Sequence, residues 1–397
     1  MKRLFIPVVL LLLLLLLLPC AAQAEVAQDI TTLCTVNNRG YNRHAPDDIR
    51  DGDYVSYYSG SAVTIIAPEG VLIGGLQLKW RTIDMPGVII KTQVGGKWVE
   101  VMRDGPNYAA QYIVLPEGLT NVRITAQKGT LELCEIAVLT PGEPPAHIQV
   151  WRDAPEKVDL MLFSTHPDDE VLWFGGLLPT YAGEQGKDVL VINAVYAHYY
   201  RRQELLAALW TCGVDIYPVM LGYPNQQDSI AEIIAEWEVK NRQPKDKMVA
   251  LIRQYKPDVV VLHDTEGEYG HTAHMAFTQL AQQGVERAAD PAEHKASAEQ
   301  YGTWDVPKTY IHLWPANQVR MDWKQPLSAF DGKTGLEVAA EAFACHATQQ
   351  ERWAVQDGGE YDNALFGLWR TNVGPDTVGV DLFENIPAGE ASDIPEQ

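Results

Sequence analysis

Val158-Asp159-Leu160-Met161-Leu162-Phe163-Ser164-Thr165-His166-Pro167-Asp168-Asp169-Glu170 begins with six residues of which only Asp159 is polar, and it ends with an imidazole and three carboxylates inside five residues. A run so apolar has no water-facing side, so it reads as a strand buried on both faces, as in a parallel sheet covered by helices. Similar runs recur at 189–194, 218–221, 259–262 and 309–313, separated by helical patterns at 201–212, 248–255 and 274–285. Strand and helix in alternation predict an α/β unit with a parallel sheet and helices on both faces. Such sheets bind ligands at the carboxyl ends of their strands, which is where the charged end of the quoted stretch would stand.

Upstream the pattern changes. Residues 62–66, 76–80, 87–90, 112–115, 122–125 and 131–139 are short apolar or alternating runs, separated by turn signals at Pro68-Glu69-Gly70, Gly95-Gly96 and Pro116-Glu117-Gly118. Period-two runs between turns predict an antiparallel β-sandwich over 25–140. With Asp51-Gly52-Asp53-Tyr54 near its start, this stretch resembles a galactose-binding-like jelly roll, which implies a carbohydrate-binding or spacing module. Pro141-Gly142-Glu143-Pro144-Pro145 opens a segment, 141–157, that reads as a stiff linker. The α/β unit with its C-terminal extension then occupies 158–397.

The extreme N-terminus reads as a secretory signal. Lys2 and Arg3 precede an apolar run that includes residues 10–18 and ends at Ala22-Gln23-Ala24, with cleavage expected before Glu25. The expected location is therefore secreted or extracytoplasmic; the competing reading is an uncleaved anchor, because residues 4–22 nearly reach the roughly 20 residues that span a bilayer. An exported chain can keep disulfides. Cys34 and Cys134 lie near the two ends of the β-rich stretch and are expected to pair, while Cys212 and Cys345 fall in helical patterns and are expected to be buried free thiols. Of the 397 residues 46% are hydrophobic and 21% charged, which excludes a disordered or fibrous chain. The net charge of −21, without a basic patch, argues against nucleic acid and anionic membrane surfaces as partners.

Buried charge at a strand end is expensive unless a cation compensates it. His166 and Asp169 are three residues apart, a spacing that lets both converge on one ion as the chain turns into a helix. Asp168 or Asp169 could instead only cap that helix. The loop after residues 259–262 favours the ion, because it reads His263-Asp264-Thr265-Glu266-Gly267-Glu268-Tyr269-Gly270-His271-Thr272-Ala273-His274. Two nitrogens and one oxygen with an open position for water are the catalytic form of zinc coordination.

His166-Pro167-Asp168-Asp169-Glu170 with the distant Tyr269-Gly270-His271-x-x-His274 resembles the PIG-L/LmbE family of zinc-dependent N-acetylglucosaminyl deacetylases. The resemblance implies a Rossmann-like α/β fold and one zinc ion held by His166, Asp169 and His274. It further implies Asp168 as general base, His271 as the group that protonates or stabilises the tetrahedral oxyanion and leaving amine, and Tyr269 assisting at the carbonyl oxygen. Arg201, in Arg201-Arg202-Gln203-Glu204-Leu205, matches a helix start whose arginine is implicated in substrate binding; the alternative is a surface charge. One departure stands out. The family commonly has an acidic residue before the last ligand, and here it is Ala273, so that either the His271 pKa is expected to be lower or another acid, Asp264 or Glu268, must substitute. His346 is expected to be structural or rim-forming, and residues 361–386 to line a sugar cleft or strap the surface. Together these features predict an exported zinc hydrolase removing acetyl from an N-acetylated amino sugar. The alternatives are a carbohydrate-binding protein with a degenerate catalytic unit and a zinc amidase acting on a non-sugar amide.

Overall fold

A computed structural model describes residues 25–40, 46–82, 85–105, 108–195, 198–225, 228–239, 243–350 and 352–387. The signal reading over residues 1–24 and the last ten residues of the extension lie outside the described residues. Among the described residues no helix is long and apolar enough to cross a membrane.

The first half forms β1 (Thr35–Gly40), β2 (Tyr58–Ile66), β3 (Ile73–Trp80), β4 (Val88–Val94), β5 (Lys97–Asp104), β6 (Ala110–Leu119), β7 (Asn121–Ala126) and β8 (Leu131–Leu139). All pairs are antiparallel, in the order β5-β4-β7-β2-β8-β3-β6 with β1 also on β2. Strand β2 links two layers: Tyr58–Gly60 pair with β8, whereas residues 62–66 pair with β7 on one side and β1 on the other. The expected all-β unit is therefore one continuous, barrel-like sheet wrapped round a shared core that includes Val63, Leu78, Trp80, Ile90 and Ile124. Gly95 and Gly96, both at positive φ (57° and 78°), make the tight β4–β5 hairpin. The expected turn at Pro116-Glu117-Gly118 is instead a bulge inside β6, where the β3–β6 register jumps from Ile73↔Leu119 to Gly75↔Val114.

The expected Cys34–Cys134 disulfide is absent, and both thiols are free. The N-terminal segment does run beside β8, pairing Asp29 with Leu139, but the 3₁₀ turn Thr31–Leu33 then carries the chain away to β2. Cys34 enters the sheet core, whereas Cys134 faces the other side, within the field of Arg202. Cys212, fully buried, and Cys345, half-buried, are also free thiols.

Residues 141–157 pack rather than dangle, with Ile148, Gln149 and Trp151 buried and Trp151 in the larger apolar core of the second half. That half contains β9 (Leu160–Ser164), β10 (Val189–Val195), β11 (Val219–Tyr223), β12 (Val259–Leu262), β13 (Lys308–His312), β14 (Gln318–Arg320) and β15 (Leu365–Thr371). Its helices are α1 (Asp169–Leu172), α2 (Tyr199–Thr211), α3 (Ile230–Glu238), α4 (Pro244–Tyr255), α5 (Gly267–Gly270), α6 (Thr272–Ala288), α7 (Lys295–Tyr301) and α8 (Gly335–Ala344). The sheet order is β11-β10-β9-β12-β13-β15-β14; the first five strands are parallel, and β15 is antiparallel to both neighbours. Leu160 and Leu162 enter one apolar cluster, Met161 and Phe163 the other, so β9 is covered on both faces. Part of the stretch read as a cleft lining or surface strap, around Phe366, is thus an interior strand.

Candidate functional site

Strands β9 and β12 are neighbours, and the order of strands along the chain reverses at this pair, so the two motif loops emerge side by side at a topological switch point. After β9 the backbone of Asp168 adopts φ 117°, ψ −27°. For a residue with a Cβ such a conformation costs about 1–3 kcal/mol and persists only where its surroundings hold it. Here the Asp168 N–H donates to Glu170 Oε2 (2.8 Å), and Glu170 Oε1 meets His346 Nε2 (2.6 Å). Glu170 and His346 are both fully buried, which makes His346 structural and not part of a rim. Asp168 stands at the N-terminus of α1 but makes no side-chain cap bond, so capping does not explain it. Its Oδ2 accepts from Arg201 Nη2 at 3.1 Å, and the same guanidinium also binds the Pro167 carbonyl. Arg201 is therefore part of the site.

His166 Nδ1, His274 Nε2 and Asp169 Oδ2 form a triangle with edges of 3.0, 3.1 and 3.1 Å. Each other atom of these three groups is engaged. His166 Nε2 donates to Asn225 Oδ1 (3.1 Å), His274 Nδ1 donates to Glu268 Oε2 (2.6 Å), and Asp169 Oδ1 accepts from Trp173 Nε1 (2.8 Å). With their outer nitrogens donating, the two imidazoles point lone pairs at each other across 3.0 Å, which is repulsive unless a proton or a metal ion lies between them. Donors around a tetrahedral zinc at about 2.0–2.1 Å stand roughly 3.3 Å apart, close to the observed edges. The charges agree. Burial alone would raise the carboxyls of Asp169 and Glu268, but neighbouring imidazoles hold both well below the usual range. The same two carboxylates, acting against burial, push His274 up to about 10, so the cluster draws positive charge to the place where a metal ion would sit. The residues present thus fit a zinc ion.

Glu268 is the part that sequence reasoning misplaced. Neither it nor Asp264 is hydrogen-bonded to His271 among the described residues. Fully buried and at φ 55°, ψ −87°, Glu268 accepts from His274, from His263 Nδ1 (2.9 Å) and from the Asp264 N–H (3.0 Å). It orients the presumed ligand itself, as carboxylates do behind metal-bound histidines. Glu268→Gln should therefore weaken zinc binding by about 10–100-fold, measured by chelator competition, without unfolding the chain. His263 is not free to bind an ion, because its Nε2 accepts from the Thr165 N–H (3.0 Å).

His271 stacks on His274 with rings 18° apart. Its Nδ1 accepts from the Ala273 N–H (3.2 Å), which puts its own hydrogen on Nε2, and burial together with His274 and His166 lowers its pKa to about 4. Tyr269, half-exposed, faces Trp173 and Trp353 with ring centroids at 5.6 and 4.9 Å. These groups surround a cavity of about 250 Å³ that Asp168, Arg201 and Asn225 also line. Burial and the charge of Asp169 push Asp168 up to about 8, with Arg201 pulling the other way. Sequence reasoning missed Asn225, Trp173, His263 and Trp353. Asn225 and His263 each follow a parallel strand, β11 and β12, a position that could have flagged them; nothing local marks Trp353.

Residues 161–285 match the family GlcNAc-PI de-N-acetylase, PIG-L. A 1D-myo-inositol 2-acetamido-2-deoxy-alpha-D-glucopyranoside deacetylase of Rhodococcus opacus is 30% identical over 241 residues, which cover 48% of this chain and 81% of that protein. The chain belongs to the PIG-L family. The namesake deacetylase of Geodermatophilus obscurus is 29% identical over 188 residues, 41% of this chain and 63% of that protein. The chain thus spans less than two thirds of that PIG-L relative. Among solved structures, N,N'-diacetylchitobiose deacetylase from Pyrococcus horikoshii is similar at 16% identity, covering 49% of this chain and 71% of that one with a TM-score of 0.37.

Proposed function

We propose that this chain is an exported, zinc-dependent hydrolase that removes the acetyl group from an N-acetylated amino sugar of the N-acetylglucosamine type. The observation that carries this reading is the donor triangle of His166, Asp169 and His274 beside Asp168, in a cavity walled by aromatic rings. The names of the relatives, which describe deacetylation of an N-acetylated aminoglycoside, support the substrate class. Export rests on the N-terminal sequence alone, and the galactose-binding-like reading of the β unit on its strand pattern.

Bound at His166, Asp169 and His274, zinc would polarise the acetyl carbonyl and lower the pKa of water toward about 7. Asp168 accepts the proton of the attacking water and returns it to the departing nitrogen as the C–N bond breaks, so acetate and a free amine leave. Burial and the charge of Asp169 raise this carboxyl, which suits its return of the proton, while the Arg201 guanidinium favours the ionised form that accepts it. His271, neutral with its hydrogen on Nε2, donates to the developing oxyanion; this favours oxyanion stabilisation over protonation of the amine. Tyr269, its phenol kept protonated by burial and by the charge of Asp169, assists at the same oxygen. Arg201 holds Asp168 toward the cavity and meets substrate hydroxyls.

Trp353, with Tyr269 beside it and buried Trp173 behind, gives the sugar ring an apolar face to lie against. Trp353→Ala should raise KM for an N-acetylated sugar by about ten-fold with kcat little changed, as loss of uniform binding does. An acetate-release screen tests the substrate class. Release from chito-oligosaccharides is the expected result; release from N-acetylated peptides alone would favour the non-sugar amidase.

A further inference from the structure

Helix α2 carries Arg201 in its first turn, yet that turn has no capping side chain and no acidic residue of its own. The next two residues supply the anchorage. Arg202 and Gln203 are 8% and 0% exposed, and their polar ends leave the α/β half altogether. Arg202 Nη2 donates to the carbonyls of Trp80 (3.0 Å), Arg81 (2.9 Å) and Thr82 (3.1 Å). Gln203 Nε2 donates to the carbonyls of Trp80 and Ala109, each at 2.9 Å. Tyr199 Oη donates to the Val55 carbonyl (2.6 Å), and its ring lies against the Arg81 guanidinium. Every acceptor is a backbone carbonyl of the β unit, at the end of β3, just before β6 or on the loop before β2. A carbonyl fixed in a sheet margin cannot rotate away as a side chain can, so these bonds set the position of the α2 start. Apolar packing continues the contact, because Ala109 and Ala110 belong to the same buried cluster as Leu205, Leu206 and Leu209.

We propose that the β unit is a fixed buttress of the catalytic site, and that Arg202 and Gln203 are positioning residues that set Arg201 against Asp168. On this view the β unit is not a tethered module that moves independently. The inference rests on the reading of Arg201 as a substrate-binding group. If it is right, Gln203→Ala in the full chain lowers kcat/KM for an N-acetylated sugar by about ten-fold with zinc content intact. In an Arg201→Ala background the same change adds nothing, because its effect passes through Arg201. Arg202→Lys, which keeps one donor on the three carbonyls, retains most of the activity that Arg202→Ala loses. Wild-type kinetics in Gln203→Ala, or an equal further loss on top of Arg201→Ala, would overturn the proposal. Thermal unfolding supplies a readout free of activity: both halves should melt in one transition that Gln203→Ala lowers as a whole. Two separate transitions, with the α/β one unmoved by Gln203→Ala, would refute the buttress. Full activity in Arg201→Ala would instead refute the role of Arg201, and the melting result would still decide the buttress.

Discussion

Asp168→Asn should keep its zinc and lose acetate release by about 10²–10⁴-fold, equivalent to about 3–5 kcal/mol of transition-state stabilisation. The substitution is nearly isosteric, and asparagine tolerates the positive φ of 117° at this position better than most residues, so the loop keeps its shape. The Asp168 N–H bond to Glu170 also survives, because it is made by the backbone. What is lost is the proton-accepting carboxylate oxygen and the charge that pairs with Arg201. Zinc analysis and turnover measured on one preparation separate the roles. If more than about a tenth of the rate remains with zinc bound, under about 1.4 kcal/mol rests on Asp168, and the base must be sought in another carboxylate, Glu170 and Asp264 being the next to test.

His274→Ala should abolish both zinc retention and activity. The loss goes beyond one ligand in three. Glu268 and Asp169, both buried, each lose an imidazole that holds their charge in place. Removing one partner of a buried ion pair typically costs about 3–5 kcal/mol, so a lower melting temperature should accompany the metal loss. His166→Ala should also lose zinc with a smaller effect on stability, since His166 pairs with only one carboxylate, Asp169. Full zinc occupancy in either variant would remove these residues from the ligand set.

The α/β half was legible because its strands are buried on both faces and each of its two motif loops is a short continuous stretch of sequence. Residues 160–164 and 259–262 carry that signal, and the parallel order then places their loops together. Strand β5 was not legible, because on this edge of the sheet Lys97, Val99, Glu100 and Arg103 face water and the apolar alternation is weak. Strands β14 and β15 run at the antiparallel edge of the sheet, paired with each other and, through β15, with β13, and neither falls in the strand–helix alternation that announced the parallel strands. The Cys34–Cys134 pairing failed for a related reason: closeness of strand ends was inferred, but which side of the strand each thiol faces depends on a turn at residues 31–33. At the site, the two loops that supply the donor triangle of His166, Asp169 and His274 were readable from their motifs. The groups that orient them were not, since Asn225 lies 59 residues from His166, and Glu268 reaches His274 only through an unusual backbone conformation.

Acetate release by chelator-stripped protein, before and after zinc is restored, tests the proposed chemistry most directly. The stripped protein should release no acetate from an N-acetylated amino sugar, and one equivalent of zinc should restore full turnover. Undiminished acetate release by protein shown to contain no metal, or no release at any zinc concentration from any N-acetylated sugar, would contradict it.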